Sequence, residues 1–378
     1  MGTRRVALLI ETSNSYARGI LRGIRSYAES RANWSLYLGE HSRGEAVPAW
    51  LKKWQGDGII ARIETKAIAQ QPLARKLPTV DVSAARHLPE MPYVETDDTQ
   101  FAIAAADYLL GRGFQHLAFS GDARFMWSSN RRDSFQKHIE ATGREVAIHE
   151  TGQRRGDFTA ERKRLINWLK KLPKPVGVLA CYDIRGREIL DACREAGIAV
   201  PYEVAVIGVD DDDLICELSH PPLSSVIPDT HRTGFEAAAL LDRMMAGENV
   251  PAGAHLIGPL GIATRQSSDV LAVEDEDVAA ALRFIHDHAL DGIQVEDVLQ
   301  HVPVSRRVLE QRFKQMTGRT PHQEIVRVQV DRVKRLLRGT DLTLEAIAHR
   351  CGFRHAEYMS VVFKRITGNT PGKFRSQA

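Results

Sequence analysis

The sequence predicts two folded parts in series: an α/β body built on parallel sheets, then an all-α region carrying two helix-turn-helix motifs. Three observations carry this. Through roughly the first 265 residues, short apolar runs of strand length alternate with amphipathic helical stretches, the pattern of parallel sheets covered by helices. Near the end, residues 313–321 read FKQMTGRTP and residues 363–371 read FKRITGNTP, the same phrase 50 positions later. The charge is also divided. The chain carries 51 Lys/Arg and 48 Asp/Glu, but from Val278 onward there are 17 and 10, so a tail of +7 follows a body of −4. A basic tail beside an acidic body suits a nucleic-acid binder joined to a sensing module.

In the body, residues 6–10 are a continuous apolar run, the signature of a strand buried on both faces. Ser13, Asn14, Ser15 and Tyr16 form a polar turn, and 18–29 read as an amphipathic helix. The strand theme returns at 34–38, 58–61, 78–82, 117–120, 176–180 and 204–208. Helical periodicity fills the gaps at 66–76, 99–112, 130–142, 159–171, 184–196 and 233–246. Sheets of this kind bind ligands beyond the C-terminal ends of their strands, so the residues just after each strand are the ones to watch.

In the tail, each copy of the repeat is preceded by a short apolar-periodic segment: Val295, Val298, Leu299 and Val302 in one, Leu344, Ile347, Ala348 and Cys351 in the other. Leu309 and Phe313 face a core, flanked by Arg312 and Met316, while Arg307, Glu310, Gln311 and Lys314 share the opposite face. Ser305 is placed to cap the helix. Gly318 and Gly368 stand where a helix stops in the left-handed conformation, and Pro321 and Pro371 open the next helix. The first motif covers about 295–316 and the second about 344–366. Between them 321–338 is one helix, roughly 25 Å long at about 1.5 Å per residue. With the width of each recognition helix added, it can set the two about 34 Å apart, one duplex turn.

At this point the residues carry a family resemblance. Gly352, Phe353, Tyr358, Phe363, Lys364, Gly368, Thr370, Pro371, Phe374 and Arg375 resemble the signature of AraC/XylS-type transcription regulators over the last hundred or so residues. The body is similar instead to the LacI/GalR and periplasmic sugar-binding proteins over roughly residues 5–265. That resemblance rests on Asp57-Gly58-Ile59-Ile60, on Tyr108-Leu109-Leu110 with Gly113-Phe114, and on Arg131 with Phe135. It continues through Cys181-Tyr182-Asp183, Ala196-Gly197-Ile198, Val200-Pro201, Val206 to Asp211, and Pro222-Leu223-Ser224-Ser225-Val226. It implies a periplasmic-binding-protein-like body of two α/β lobes around a cleft, over residues 1–269, with the DNA-binding part at 270–378. The junction is the acidic stretch 267–277. In LacI/GalR proteins the DNA-binding part comes first; here it comes last. This order resembles regulators of pentose operons and implies D-xylose as effector, double-stranded operator DNA as target, and RNA polymerase as partner if the chain activates. The residues alone support only a small polyol. A purine or other non-sugar effector, or action as a repressor, is the alternative reading. A homodimer is expected.

Sugar recognition requires carboxylates or guanidinium groups on vicinal hydroxyls and an aromatic face against C–H bonds. Asp81, Arg131, Asp183 and Asp210 are candidates for the hydroxyls, and Tyr16, Trp127 and Tyr182 for stacking; Ser13 and Asn14 lie in the first βα turn. Asp183 reads equally well as a helix cap before Ile184. The run Asp210 to Asp213 suggests a metal, but adjacent carboxylates diverge, so none is expected. His286 and His288 cannot share a helix face and read as surface residues. On the DNA side the set is Arg306, Arg307, Glu310, Gln311 and Lys314, then Ala356, Glu357, Ser360, Val361 and Lys364. Arg307 suits guanine, Glu310 cytosine, Gln311 adenine, and Lys314 phosphate. The second helix, with small, acidic or apolar residues, suits a cytosine and a thymine methyl, or a register-setting role.

Several classes are excluded or disfavoured. There is no phosphate loop, no His-Glu-x-x-His and no nucleophile elbow, so neither an enzyme nor a cofactor is expected. No apolar run reaches membrane-spanning length, and the N-terminus lacks a signal-peptide core, which argues against a membrane or transport-type protein. Cys181, Cys193, Cys216 and Cys351 lack metal-ligand spacing and suit a reducing cytoplasm.

Overall fold

Continuous apolar runs form strands covered on both faces, as their composition requires. The computed structural model describes residues 2–39, 49–75, 77–151, 158–270, 272 and 275–376. Lys76, the expected end of one helix, and residues 271, 273 and 274 of the junction lie outside the described residues. The chain divides into two units, Met1–Asp269 and Val270–Ala378.

The first unit begins with β1 (Arg4–Leu9), α1 (Ser15–Arg31), β2 (Trp34–Leu38), β3 (Gly58–Ala61), α2 (Lys66–Arg75), β4 (Thr79–Asp81) and β5 (Pro92–Thr96). Then α3 (Asp98–Gly111) leads to β6 (His116–Asp122), α4 (Met126–Glu140), β7 (Val146–Thr151), α5 (Phe158–Lys171), β8 (Val176–Ala180), α6 (Asp183–Ala196), β9 (Val204–Val209), α7 (Asp213–Leu218) and β10 (Ser224–Pro228). Finally α8 (Thr230–Met245) returns to β11 (Gly253–Ile257), and β12 (Pro259–Ala263) follows. These strands make two six-stranded sheets, ordered β11-β5-β4-β3-β1-β2 and β12-β10-β9-β8-β6-β7. The registered pairs are parallel except β10 with β12. Each sheet is the centre of a lobe, and the chain crosses between lobes after β5, after β10 and between β11 and β12.

Each lobe has its own core. Val6, Leu8, Ile20, Ile24, Ile60 and Leu241 pack in one, and Leu165, Leu169, Val178, Ile189 and Val206 in the other. Helices α1 and α8 meet backbone to backbone. A Cβ at Gly23 would lie 2.0 Å from the His231 carbonyl oxygen, and one at Gly234 2.0 Å from that of Ile20, so neither position admits a side chain.

Periodicity located β2, β3 and β8 to the residue, and missed β5, β7, β10, β11 and β12. β5 reads Pro-Tyr-Val-Glu-Thr; a proline and a carboxylate conceal a strand whose residues are nonetheless largely buried.

The second unit comprises α9 (Glu276–His288), α10 (Val295–Leu299), α11 (Arg306–Thr317), α12 (Pro321–Gly339), α13 (Leu344–Arg350), α14 (Ala356–Thr367) and α15 (Pro371–Ser376). The repeat persists to individual bonds. Leu309 and Met359 are buried at equivalent places, as are Phe313 and Phe363. Gly318 and Gly368 end their helices at φ 71° and 75°. Thr317 and Thr367 each donate from Oγ1 to the carbonyl four residues back, at 2.7 and 2.8 Å. Thr320, with Gln323, forms a capping box on α12, whose 19 residues span about 28 Å. The histidine expectation is half right: His288 is exposed, whereas His286 is partly buried and its pKa is lowered by desolvation.

Candidate effector cleft and nucleic-acid interface

Between the lobes lies a cavity of about 410 Å³, counting its open mouth. Its walls come from positions just past strands. Arg62 follows β3, Val82, Ser83 and Ala84 follow β4, Glu95 and Thr96 end β5, and Asp210 follows β9. Tyr16 stands in the first turn of α1, and Trp127 and Arg131 stand one helical turn apart on α4. The first lobe thus supplies Tyr16, Arg62, Glu95 and Thr96, and the second Trp127, Arg131 and Asp210.

Both guanidiniums are buried and already paired. Arg62 Nη1 donates to Glu11 Oε1 at 2.6 Å, and its Nε lies 3.0 Å from Glu64 Oε1. Burial opposes its charge, but Glu64 and Glu11 hold its pKa above the ordinary value. The guanidinium also covers the Tyr16 ring at 5.2 Å. Arg131 donates from Nε to Asp98 at 2.8 Å and from Nη1 to the Cys181 carbonyl at 2.6 Å, and lies 5.2 Å from the Trp127 ring. Burial opposes this charge too; Asp98 and Asp210 outweigh it. Glu95 accepts from Arg86 through Oε1, while its Oε2 is buried with no hydrogen-bond partner among the described residues. Burial pushes its pKa up to about 7, against the pull of Arg86. Burial likewise pushes Tyr16 up to about 12.

The cavity is therefore lined by two cations and two carboxylates, with aromatic surface beside them. Because each arginine is already neutralised from outside, the lining offers hydrogen bonds in both senses and no net positive charge for a phosphate.

Five of the expected effector residues support this wall and do not line it. Asp81 Oδ1 accepts from the amides of Ile63 and Ser83, at 3.1 and 2.9 Å, and burial raises its pKa to about 7. Asp183 accepts from Ser225 Oγ at 2.6 Å and from the Asp212 amide at 2.8 Å; burial and the charge of Asp210 raise its pKa. It occupies the first helical position of α6, and Tyr182 is the cap residue. Asn14 caps α1 and holds Glu11, and Ser13 is exposed in the same turn. Tyr182 meets the Trp127 ring edge-on, at 5.5 Å between centroids. Tyr16, Trp127, Arg131 and Asp210 do line the cavity. Reasoning from sequence missed Arg62, Ser83, Glu95 and Thr96. Arg62 directly follows a recognised strand, so the strand-end rule could have found it; Glu95 and Thr96 sit on the strand that composition concealed.

The carboxylate run also disperses. Asp210 faces the cavity, Asp211 pairs with Arg265 at 2.8 Å, and Asp212 caps α7.

In the second unit, Leu309 and Phe313 anchor α11 and leave Arg306, Arg307, Gln311 and Lys314 exposed. Arg307 makes no ion pair or hydrogen bond among the described residues. Arg306 is bound to Glu310 at 2.9 Å and to Glu296 at 2.5 Å. Glu310, expected as a reader of cytosine, is thus engaged by its own helix. On α14, Glu357, Val361 and Lys364 are exposed while Ala356 and Ser360 are partly covered. Tyr358, absent from the expected set, is 54 % exposed on the same helix.

Comparison with known proteins matches this two-part geometry. An XylR N-terminal domain model matches residues 5–99, a periplasmic binding protein-like domain model 106–268, and a helix-turn-helix domain model 298–377. The xylose operon regulatory protein of Escherichia coli K12 is 32% identical over 380 residues, covering 98% of this chain and 96% of that one. The chain belongs to the xylose operon regulatory protein family. The family member from Haemophilus influenzae is 33% identical, with 98% of each chain covered. A solved structure described as the xylose-binding transcription activator xylR superposes with a TM-score of 0.84 at 30% identity, covering 100% of this chain and 99% of that one. As a member of this family the chain is a DNA-binding transcription regulator with a sugar-binding type of sensor domain, and not an enzyme. Among the described residues no helix is long and apolar enough to cross a membrane.

Proposed function

We propose that the chain is a D-xylose-responsive activator of pentose catabolism genes, acting in the cytoplasm as a homodimer that recruits RNA polymerase. The cleft lining carries this reading: Arg62 and Arg131 against Glu95 and Asp210, with Trp127 and Tyr16 alongside, suits a small neutral polyol. Arg62, Arg131 and Asp210 engage vicinal hydroxyls, Glu95 and Thr96 take further hydroxyls, and Trp127 covers the C–H face of the ring. Because these groups come from both lobes, a ligand touching all of them favours the closed form. The relatives' names supply the choice of xylose among such polyols.

In the second unit Arg307 and Gln311 read base edges, while Lys314 and Lys364 hold phosphates. Val361 and Tyr358 bring apolar surface to the duplex. The two motifs repeat in the same order along the chain, so one chain reads two short elements in tandem, about one turn apart.

Titration calorimetry with D-xylose, L-arabinose and D-ribose tests the effector. Heat with D-xylose in wild type and none in Asp210→Ala supports it. No heat with any pentose, alongside clear binding of a purine, overturns the sugar assignment. Footprinting that shows one protected major groove per chain would overturn the two-headed reading.

A further inference from the structure

The turn after β9 is bonded more heavily than a connecting turn requires. Asp210 and Asp211 both have positive φ, 109° and 46°, which side-chain-bearing residues adopt only where their surroundings impose it. The Asp211 amide donates to Ser225 Oγ at 3.0 Å and the Asp212 amide to Asp183 at 2.8 Å. Arg265 clamps the turn from the other side. Its Nη1 donates to Asp211 Oδ1 at 2.8 Å and to the Leu223 carbonyl at 3.2 Å, and its Nε to Glu217 at 3.1 Å.

Arg265 also begins the last stretch of the first unit. Its amide donates to Ser224 Oγ at 2.7 Å. Two residues on, Ser267 Oγ accepts the Ser224 amide at 2.8 Å and donates to the Val206 carbonyl at 2.6 Å. Ser268 Oγ donates to Ser224 Oγ at 2.7 Å and lies 2.8 Å from the Tyr108 hydroxyl. Ser267 and Ser268 are fully buried, and Asp269 is the final residue before the second unit. The cleft turn and the exit from the sensor are therefore stitched to the same strands, with Arg265 bonded to the turn through its guanidinium and belonging to the exit segment through its backbone.

We infer that Arg265 is a positioning residue: through Asp211 it ties the cleft turn at Asp210 to the exit segment, and so couples effector contact to DNA binding. This rests on the reading of Asp210 as an effector contact. Rotation of the Asp210–Asp211 peptide toward a ligand carries the Asp211 carboxylate with it. The planar guanidinium, fixed by three hydrogen bonds, passes that displacement to its own backbone. Coupling of this kind is reciprocal, since each ligand biases the same pair of arrangements.

The test uses the full chain and a fluorescein-labelled duplex selected from random sequence by the wild-type protein, with anisotropy read with and without saturating D-xylose. The ratio of the two affinities in wild type is expected in the range of about 5- to 150-fold. It should fall to about one in Arg265→Gln and in the isosteric Asp211→Asn, and persist in Glu217→Gln, which removes only the exposed arm of the clamp. By reciprocity, the duplex should also cease to change D-xylose affinity in the first two variants. A merely structural role would weaken both DNA affinities equally and keep the ratio. A second arm needs no sugar: Asp210→Ala and Arg265→Gln, alone and together, should have non-additive effects on duplex affinity. An unchanged ratio in a folded Asp211→Asn, or additivity within about twofold in the cycle, overturns the coupling. If wild type binds no D-xylose, the sugar reading fails by itself, and the cycle still decides on Arg265.

Discussion

Replacing Glu95 with glutamine should stabilise the first unit above neutral pH and do so much less at pH 5. The Glu95 side chain is 3 % exposed, and its pKa is raised from 4.5 to about 7, chiefly by burial. The native state therefore holds a proton that the unfolded state releases. Stability from this group is fully present below pH 4.5 and is lost as pH rises through about 7. Ionising the buried carboxyl costs about 3 kcal/mol. That cost is already net of the attraction to Arg86, which is 43 % exposed and screened by solvent. Glutamine removes the ionisation, for a gain of about 3 kcal/mol at pH 8. For a unit of this size that raises Tm by roughly 6–12 °C. All five tryptophans, Trp34, Trp50, Trp54, Trp127 and Trp168, lie in the first unit, so their fluorescence follows its unfolding alone. Asp81, with a pKa also near 7, titrates in both proteins, and its repulsion of Glu95 is a smaller cause of the Glu95 shift than burial or Arg86. Urea melts at pH 5 and pH 8 decide: equal differences at the two pH values, or destabilisation at pH 8, would refute the reasoning.

Arg307→Ala should cost on the order of 1–3 kcal/mol on the specific duplex and much less on random DNA; equal losses on both would make Arg307 a phosphate contact. Affinity for the specific duplex should fall steeply as salt rises, measured by anisotropy across a potassium chloride series. Phe313→Ala and Phe363→Ala, both fully buried, should each destabilise the second unit by about 3–5 kcal/mol in thermal melts, with little change in tryptophan signal. Arg131→Ala strands the buried Asp98 and should cost about 3–5 kcal/mol, much of it recovered by adding Asp98→Asn; a melt of the double variant no better than the single refutes this.

The sequence by itself determined the architecture. An apolar run of strand length can be satisfied only by burial on both faces, and the FKxxTGxTP repeat encodes its own anchors and stops within nine residues. Such local codes survive without knowledge of the rest of the chain, and for that reason Ser305, Gly318 and Gly368 act as their spacing implies. The tertiary structure alone decided which strand-end groups face the cleft. Asp81, Asp183 and Asp210 look alike along the chain, yet two bind backbone amides and one lines the cavity. The difference is the direction of a single turn, set by φ at Asp210 and by bonds to residues 14 to 54 positions away. Arg306 is likewise occupied by Glu310 and Glu296 while Arg307, its neighbour, is not. Side-chain pairing depends on which groups come within about 3 Å after folding, and sequence spacing does not report that distance.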